Sequence, residues 1–292
     1  MVRPIKIRTA CDGDGDKLYF TAEERHDGVC IKDILKKELV VSGTLITKVK
    51  FGGVLINGTA VTMRATVHEG DEITVVLPIE KSEFVEPIDA PLTVLYEDEH
   101  FIAVDKPTGM PVHPSRGNHL VTLASVVTAY VGTPFVFRAI NRLDRDTSGI
   151  VIIAKNQYSA SLLSTEMKAG GFEKYYTALL ANAPREEYGI IDAPIERECE
   201  GSIKRTVTEG GKRAVTEYRV REILSDGRAV CDIRLHTGRT HQIRVHMAHI
   251  GAPLYADFLY GERMTGEIYS LRCSRILLTH PITRERIEIK AE

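Results

Sequence analysis

Apolar residues recur at helical spacing early in the chain. Ile31, Ile34, Leu35 and Leu39 share one helix face, with Lys32, Lys36 and Lys37 on the other. A second short helix is predicted to start near Ser42, to carry Leu45 and Val49 with Lys48 and Lys50 nearby, and to end at Gly52-Gly53. The pattern then changes to the strand period. Val54-Leu55-Ile56 and Thr59-Ala60-Val61-Thr62 flank Asn57-Gly58, residue types that supply the positive φ angles of a tight hairpin turn. Glu69-Gly70-Asp71 predicts another turn before a strand over 72–77.

Pro78, Pro87 and Pro91 punctuate a stretch of little periodicity, which reads as a linker. Beyond it short strands dominate, at 92–96, 101–105, 149–154, 175–180, 214–220 and 229–235. Helical patterns separate some of them, at 122–131 and 159–168. A later helix is predicted from Thr240 as N-cap to Gly251, with Ile243, Met247 and Ile250 as its apolar stripe. His241 and Arg244 then lie on a neighbouring face. The mixture predicts an α+β fold, a mostly antiparallel mixed β-sheet over 92–292 preceded by a small α/β domain. The expected division is an extension at 1–25, the small domain at 26–78, a linker at 79–91 and the large domain at 92–292.

Composition changes this picture little. A hydrophobic share of 43% and a charged share of 27% are ordinary for a globular chain. No apolar run approaches the roughly 18 residues of a membrane helix. Met1-Val2-Arg3-Pro4-Ile5-Lys6 lacks the apolar stretch of a signal peptide. The five cysteines contain no C-x-x-C pair, so reduced thiols in a cytoplasmic protein are expected. With 38 basic and 40 acidic residues, global charge does not point to a polyanion, and any such site must come from local clustering.

The chemistry concentrates in three stretches. Asn141-Arg142-Leu143-Asp144-Arg145-Asp146-Thr147-Ser148-Gly149 precedes the apolar run Ile150-Val151-Ile152-Ile153-Ala154, which places Asp144 on a loop held by a rigid strand. Arg142 and Arg145 flank the acid, and an adjacent guanidinium favours an ionised carboxylate fit for a nucleophile or base. An ordinary surface ion pair beside a turn would read the same way. The second stretch, 236–251, projects Arg244 from a packed helix, where its planar fork suits a carboxylate. Its histidines, His236, His241, His246 and His249, are spaced by five, five and three, without an H-E-x-x-H pattern, so no metal site is expected. The third, Phe172-Glu173-Lys174-Tyr175-Tyr176, puts the two tyrosines on opposite strand faces, so one can enter a pocket and stack on a base. Taken singly, strand tyrosines more often complete a core. Asp12, Asp14, Asp16 and Glu23 echo a calcium loop, but Lys17 stands where that loop needs glycine.

R-L-D-R-D-T-S-G at 142–149, T-G-R-T-H-Q-I-R-V-H at 237–246 and the segment from Asp105 to Pro114 together resemble the RluA family of RNA pseudouridine synthases. The small domain resembles the RNA-binding domain of ribosomal protein S-four, which RluD-type members carry. The resemblance implies a cofactor-free isomerase that turns uridine into its carbon-glycoside isomer. It implies that Asp144 is the catalytic aspartate, that Arg142 helps displace the target base, that Tyr176 is the active-site tyrosine and that Arg244 pairs with Asp144. Lys106, His113, Arg145, Arg239 and His241 are expected to meet RNA in the cleft, and Lys32, Lys36, Lys48, Lys50 and Arg64 to meet phosphates from the small domain. Ribosomal RNA is the favoured substrate, transfer RNA the alternative, and no membrane or obligate protein partner is implied. The sequence departs from the family at Asn141, Ile150, Ala252, Ala256 and Leu271-Arg272-Cys273. The competing class is a non-catalytic RNA-binding or ribosome-assembly factor that retains the fold.

Overall fold

The computed structural model describes residues 8–12, 15–79, 85–114, 121–262 and 264–292. Asp14, within the stretch that echoes a calcium loop, lies outside them.

The two short helices and the hairpin read from residues 31–62 form, and a strand is added to them. Helix α1 (Ile31–Lys37) buries Ile31, Ile34 and Leu35. Helix α2 (Gly43–Val49) starts at Ser42, whose hydroxyl accepts from the Leu45 amide at 3.2 Å. Asn57 and Gly58 take φ of 50° and 77° and turn Val54–Ile56 into Thr59–Ala60. Within the expected extension at 1–25, residues 15–21 form a strand. Gly15–Thr21 pairs antiparallel with Glu72–Val76, because Leu18 and Phe20 alternate inward and are buried. Arg8–Asp12 pairs with it in turn, completing a five-stranded sheet.

The large domain is a ten-stranded sheet. Its main path runs Tyr188–Asp192, Val215–Ile223, Ala229–Leu235, Glu173–Leu180, Leu271–Thr279, Ser148–Ala154, Phe101–Lys106, Thr93–Glu97. Every pairing is antiparallel except that of Ser148–Ala154 with Leu271–Thr279, which is parallel. At that junction Gly149 has φ of 106°, and a Cβ there would stand 2.2 Å from the Cys273 carbonyl oxygen, so only glycine permits the two strands to meet. Helix α3 (Leu123–Val131) carries a capping box from Thr122 and Ser125. Helix α4 (Gln157–Lys168) starts at Asn156, which accepts from the Ser159 amide at 2.8 Å. Of the linker, residues 85–91 run along the large domain: Val85 packs on its core and the Ile88 amide donates to the Ser125 carbonyl.

The two domains share a core. Tyr158 and Leu162 of α4 belong to the same buried apolar cluster as the small-domain core, and the Tyr158 hydroxyl donates to the Leu39 carbonyl at 2.9 Å. No helix among the described residues is long and apolar enough to cross a membrane.

Candidate active site

Asp144 stands on the loop entering the central strand Ser148–Ala154, and that loop is fixed from several sides. Asn141 donates to the Ile150 carbonyl and accepts from the Ile152 amide, both at 2.9 Å. Its amide clamps the loop onto the strand that follows. The Thr108 hydroxyl donates to the Asp146 carbonyl at 2.7 Å. Lys106 is fully buried and donates to the carbonyls of Pro107, Met110 and Arg145, each at 2.9 Å. Burial pushes its pKa down to about 8. This corrects the expectation that Lys106 meets RNA: its ammonium is enclosed by backbone oxygens and holds the loop in shape.

Helix α5 (Gln242–His249) brings the opposite wall. Its N-cap is one residue later than expected, His241 in place of Thr240, and lies in the left-handed region at φ 57°. The Gln242 side chain explains the shift. Its oxygen accepts from the Thr237 hydroxyl and the Arg239 amide, while its nitrogen donates to the Val215 carbonyl and the Thr216 hydroxyl. The entry to α5 is tied by tertiary bonds that a local reading of caps does not contain.

Arg244 projects from α5 and is 3% exposed. Its Nε and one terminal nitrogen donate to Asp257 at 2.7 Å each, and the other terminal nitrogen stands 3.6 Å from Asp144. The bidentate partner is therefore Asp257, with Asp144 reached by the free arm. The rings of Tyr269, Tyr260 and Phe258 lie 4.4, 5.1 and 5.7 Å from the guanidinium carbon. Burial works against the Arg244 charge, but the bonds to Asp257 and the surrounding anionic groups outweigh it and raise its pKa. Asp257 also accepts from the Leu259 and Tyr260 amides, fixing the turn that carries those rings. His241 stands 3.8 Å from Asp144 and shares a 2.8 Å hydrogen bond with Tyr260, while burial lowers its pKa.

Tyr176 faces this carboxylate from the strand Glu173–Leu180. It is 5% exposed, and burial, with Cys273 beside it, raises its phenol pKa well above the ordinary value. Tyr175 takes the other face, where its hydroxyl donates to Glu173 and its ring meets Arg275 at 3.9 Å. Asp144, Tyr176, His241 and Arg244 line one open cleft of about 790 Å³, a volume suited to a nucleotide.

Of the remaining expected residues, Arg142, His113, Arg145 and Arg239 line the same cleft. Arg142 is exposed, and its charge adds to burial in lowering the pKa of His113. Arg145 pairs with Asp146 at 2.8 Å, and Arg239 donates to the Arg213 carbonyl. Lys32, Lys36, Lys48, Lys50 and Arg64 are all exposed on the small domain, and none lines the cleft. Lys48 reaches Gln157 of α4 at 3.3 Å, and Lys50 lies over the Phe51 ring. The histidines of 236–249 are engaged separately: His236 with Glu217, His246 with Thr216 and the Ala193 carbonyl. Among the described residues no three His, Cys, Asp or Glu side chains cluster as metal ligands. Asp257 and Tyr269 were missed in the sequence. A buried arginine on a packed helix demands a carboxylate, and that demand was the available signal.

Comparisons with known proteins point to one family. Residues 100–249 match the family model described as RNA pseudouridylate synthase. The uncharacterized RNA pseudouridine synthase YjbO of Bacillus subtilis is 38% identical, covering 87% of this chain and 92% of that protein. Ribosomal large subunit pseudouridine synthase D of Xanthomonas campestris is 34% identical over 83% and 78% of the two chains. The solved structure of human RNA pseudouridylate synthase domain containing 1 superposes with a TM-score of 0.60 at 26% identity, covering 71% of this chain and 86% of that one. The motifs that frame Asp144, Tyr176 and Arg244, the mixed sheet that carries them and these matches establish that the chain belongs to the RNA pseudouridine synthase family.

Proposed function

We propose that this RNA pseudouridine synthase acts on ribosomal RNA in the cytoplasm, without an obligate protein partner, and that Asp144 initiates the isomerisation. The observation that carries the assignment is the Asp144 carboxylate in an open cleft, 3.6 Å from Arg244 and facing Tyr176. A uridine extruded from its stack enters the cleft, at an unstacking cost of a few kcal/mol offset by new contacts. Exposed Arg142 occupies the vacated space, and the Tyr176 ring packs on the base. Asp144 acts on the sugar or the ring to release the base. The C1′–N1 bond breaks, the uracil turns within the cleft, and a C1′–C5 bond forms. The proton on C5 is lost and N1 gains one, so the reaction balances without a redox partner or a group donor. The bound RNA covering the cleft keeps the detached uracil from escaping or meeting water.

The preference for ribosomal RNA rests on relatives named as ribosomal large subunit synthases and on the five exposed cations of the small domain. The test is pseudouridine mapping of total RNA from cells lacking the protein, rescued by wild type or by Asp144→Asn. Discrete ribosomal sites that return only with wild type support the reading. Sites confined to transfer RNA overturn the substrate, and rescue by Asp144→Asn overturns the role of Asp144.

A further inference from the structure

Lys174 lies two residues before Tyr176 on Glu173–Leu180, so both side chains leave the same face of the sheet. It is 8% exposed and lines the cleft. The other buried cations near the site are satisfied, Lys106 by three carbonyls and Arg244 by Asp257. Lys174 has neither kind of partner: no hydrogen bond or ion pair engages its ammonium among the described residues. The ammonium is not sealed off either, since it is absent from the fully covered unpaired atoms. A Cβ on Gly238 would stand 3.3 Å from Nζ, which places the charge against the loop leading from His236 into α5. Burial lowers the lysine's pKa. An ammonium withdrawn from water without a counter-charge is unfavourable, and such a group persists where a ligand supplies the missing oxygen.

The substrate offers two such oxygens. A phosphodiester flanks the extruded uridine on each side. The uracil O2 and O4 take up the electron pair when the C1′–N1 bond breaks. We propose that Lys174 contacts the target nucleotide, its ammonium receiving an anionic oxygen of the phosphodiester or of the departing uracil. The inference rests on the cleft of Asp144 and Tyr176 being where the uridine is held. Lys174 forms no covalent bond and stays protonated throughout, so it adds nothing to the balance of the reaction.

The test uses the full chain with Lys174→Met, which keeps the apolar stem, and Lys174→Arg, which keeps the charge. RNA affinity is measured across salt concentrations, and the single-turnover rate is measured at saturating RNA. If the partner is phosphate, Lys174→Met raises Kd about tenfold and flattens the slope of log Kd against log salt by about one, with the saturating rate unchanged. If the partner is uracil, Kd holds and the saturating rate falls about a hundredfold. In both cases Lys174→Arg recovers part of the loss, and the melting temperature of Lys174→Met is not lowered. The inference is overturned if Lys174→Met matches wild type in Kd and rate. It is equally overturned if function falls only in step with a lower melting temperature, without recovery in Lys174→Arg. Wild type on the same RNA, run in parallel, separates a failed substrate choice from a failed Lys174 assignment.

Discussion

Two carboxylates share Arg244, and they are not equivalent. Asp257 is fully buried and takes two of its nitrogens, while Asp144 is half-buried and faces the remaining one. The geometry makes Asp257 a positioning residue: it fixes the plane of the guanidinium, and the plane sets where the free arm points. Asp257→Asn removes the charge and keeps the volume, leaving a buried arginine without its bidentate counter-ion and with only the more distant Asp144. Stability is expected to fall by about 3–5 kcal/mol, read from the urea unfolding midpoint. The single-turnover rate should fall with it, because the arm facing Asp144 loses its alignment. An unchanged midpoint would mean that the rings of Tyr269, Tyr260 and Phe258 hold the arginine by themselves.

At the scale of elements, the turn between Thr93–Glu97 and Phe101–Lys106 is organised by Asp98. Its carboxylate accepts from the His100 and Phe101 amides, the Tyr96 hydroxyl and His280. His280 Nδ1 accepts from the Ile282 and Thr283 amides, so its Nε2 is the donor, and Asp98 joins two separate turns. Burial opposes ionisation, but these bonds outweigh it and hold the carboxyl well below the usual carboxylate range. A depressed folded-state pKa gives stability that is complete above the unfolded value, about 4, and is lost as pH falls further toward the folded value. Asp98→Asn is therefore expected to lower stability by about 1–3 kcal/mol at pH 7, and the gap to wild type should narrow at pH 3. Equal gaps at both pH values would show that the effect is not the carboxylate's charge. Elements of this kind were legible in the sequence where their determinants are local. Ser42 and Asn57-Gly58 mark a helix start and a hairpin from their immediate neighbours. The strand 229–235 forms within its expected bounds. Thr240 misled because the true start of α5 depends on bonds from Gln242 to Val215 and Thr216, far away in sequence. Lys106 misled for a related reason: its motif position was visible, but not the three carbonyls that enclose it. Asp144 was legible because its neighbours in sequence are also the residues that build its loop.

For the whole molecule, the pattern along the chain marks the small domain as a separate unit, yet α4 carries part of its core. Tyr158 is 1% exposed, its ring is packed among small-domain residues, and its hydroxyl satisfies the Leu39 carbonyl. A rigid attachment would fix the distance between the small domain's cations and the cleft, and so fix which uridines can reach Asp144 while the RNA is held. Tyr158→Ala removes both the ring and the hydrogen bond, at an expected cost of about 3–5 kcal/mol for the ring, concentrated at the junction. Because the cleft itself is untouched, a short hairpin RNA that fits within it should be modified at the wild-type rate. A long ribosomal fragment that needs both domains should be modified more slowly, and small-angle scattering should show a larger radius of gyration. If Tyr158→Ala leaves both the scattering and the long-RNA rate unchanged, the shared core is not what couples the domains. If it slows the short hairpin as strongly as the long fragment, α4 supports the cleft directly, through its contact with the central strand that follows the Asp144 loop.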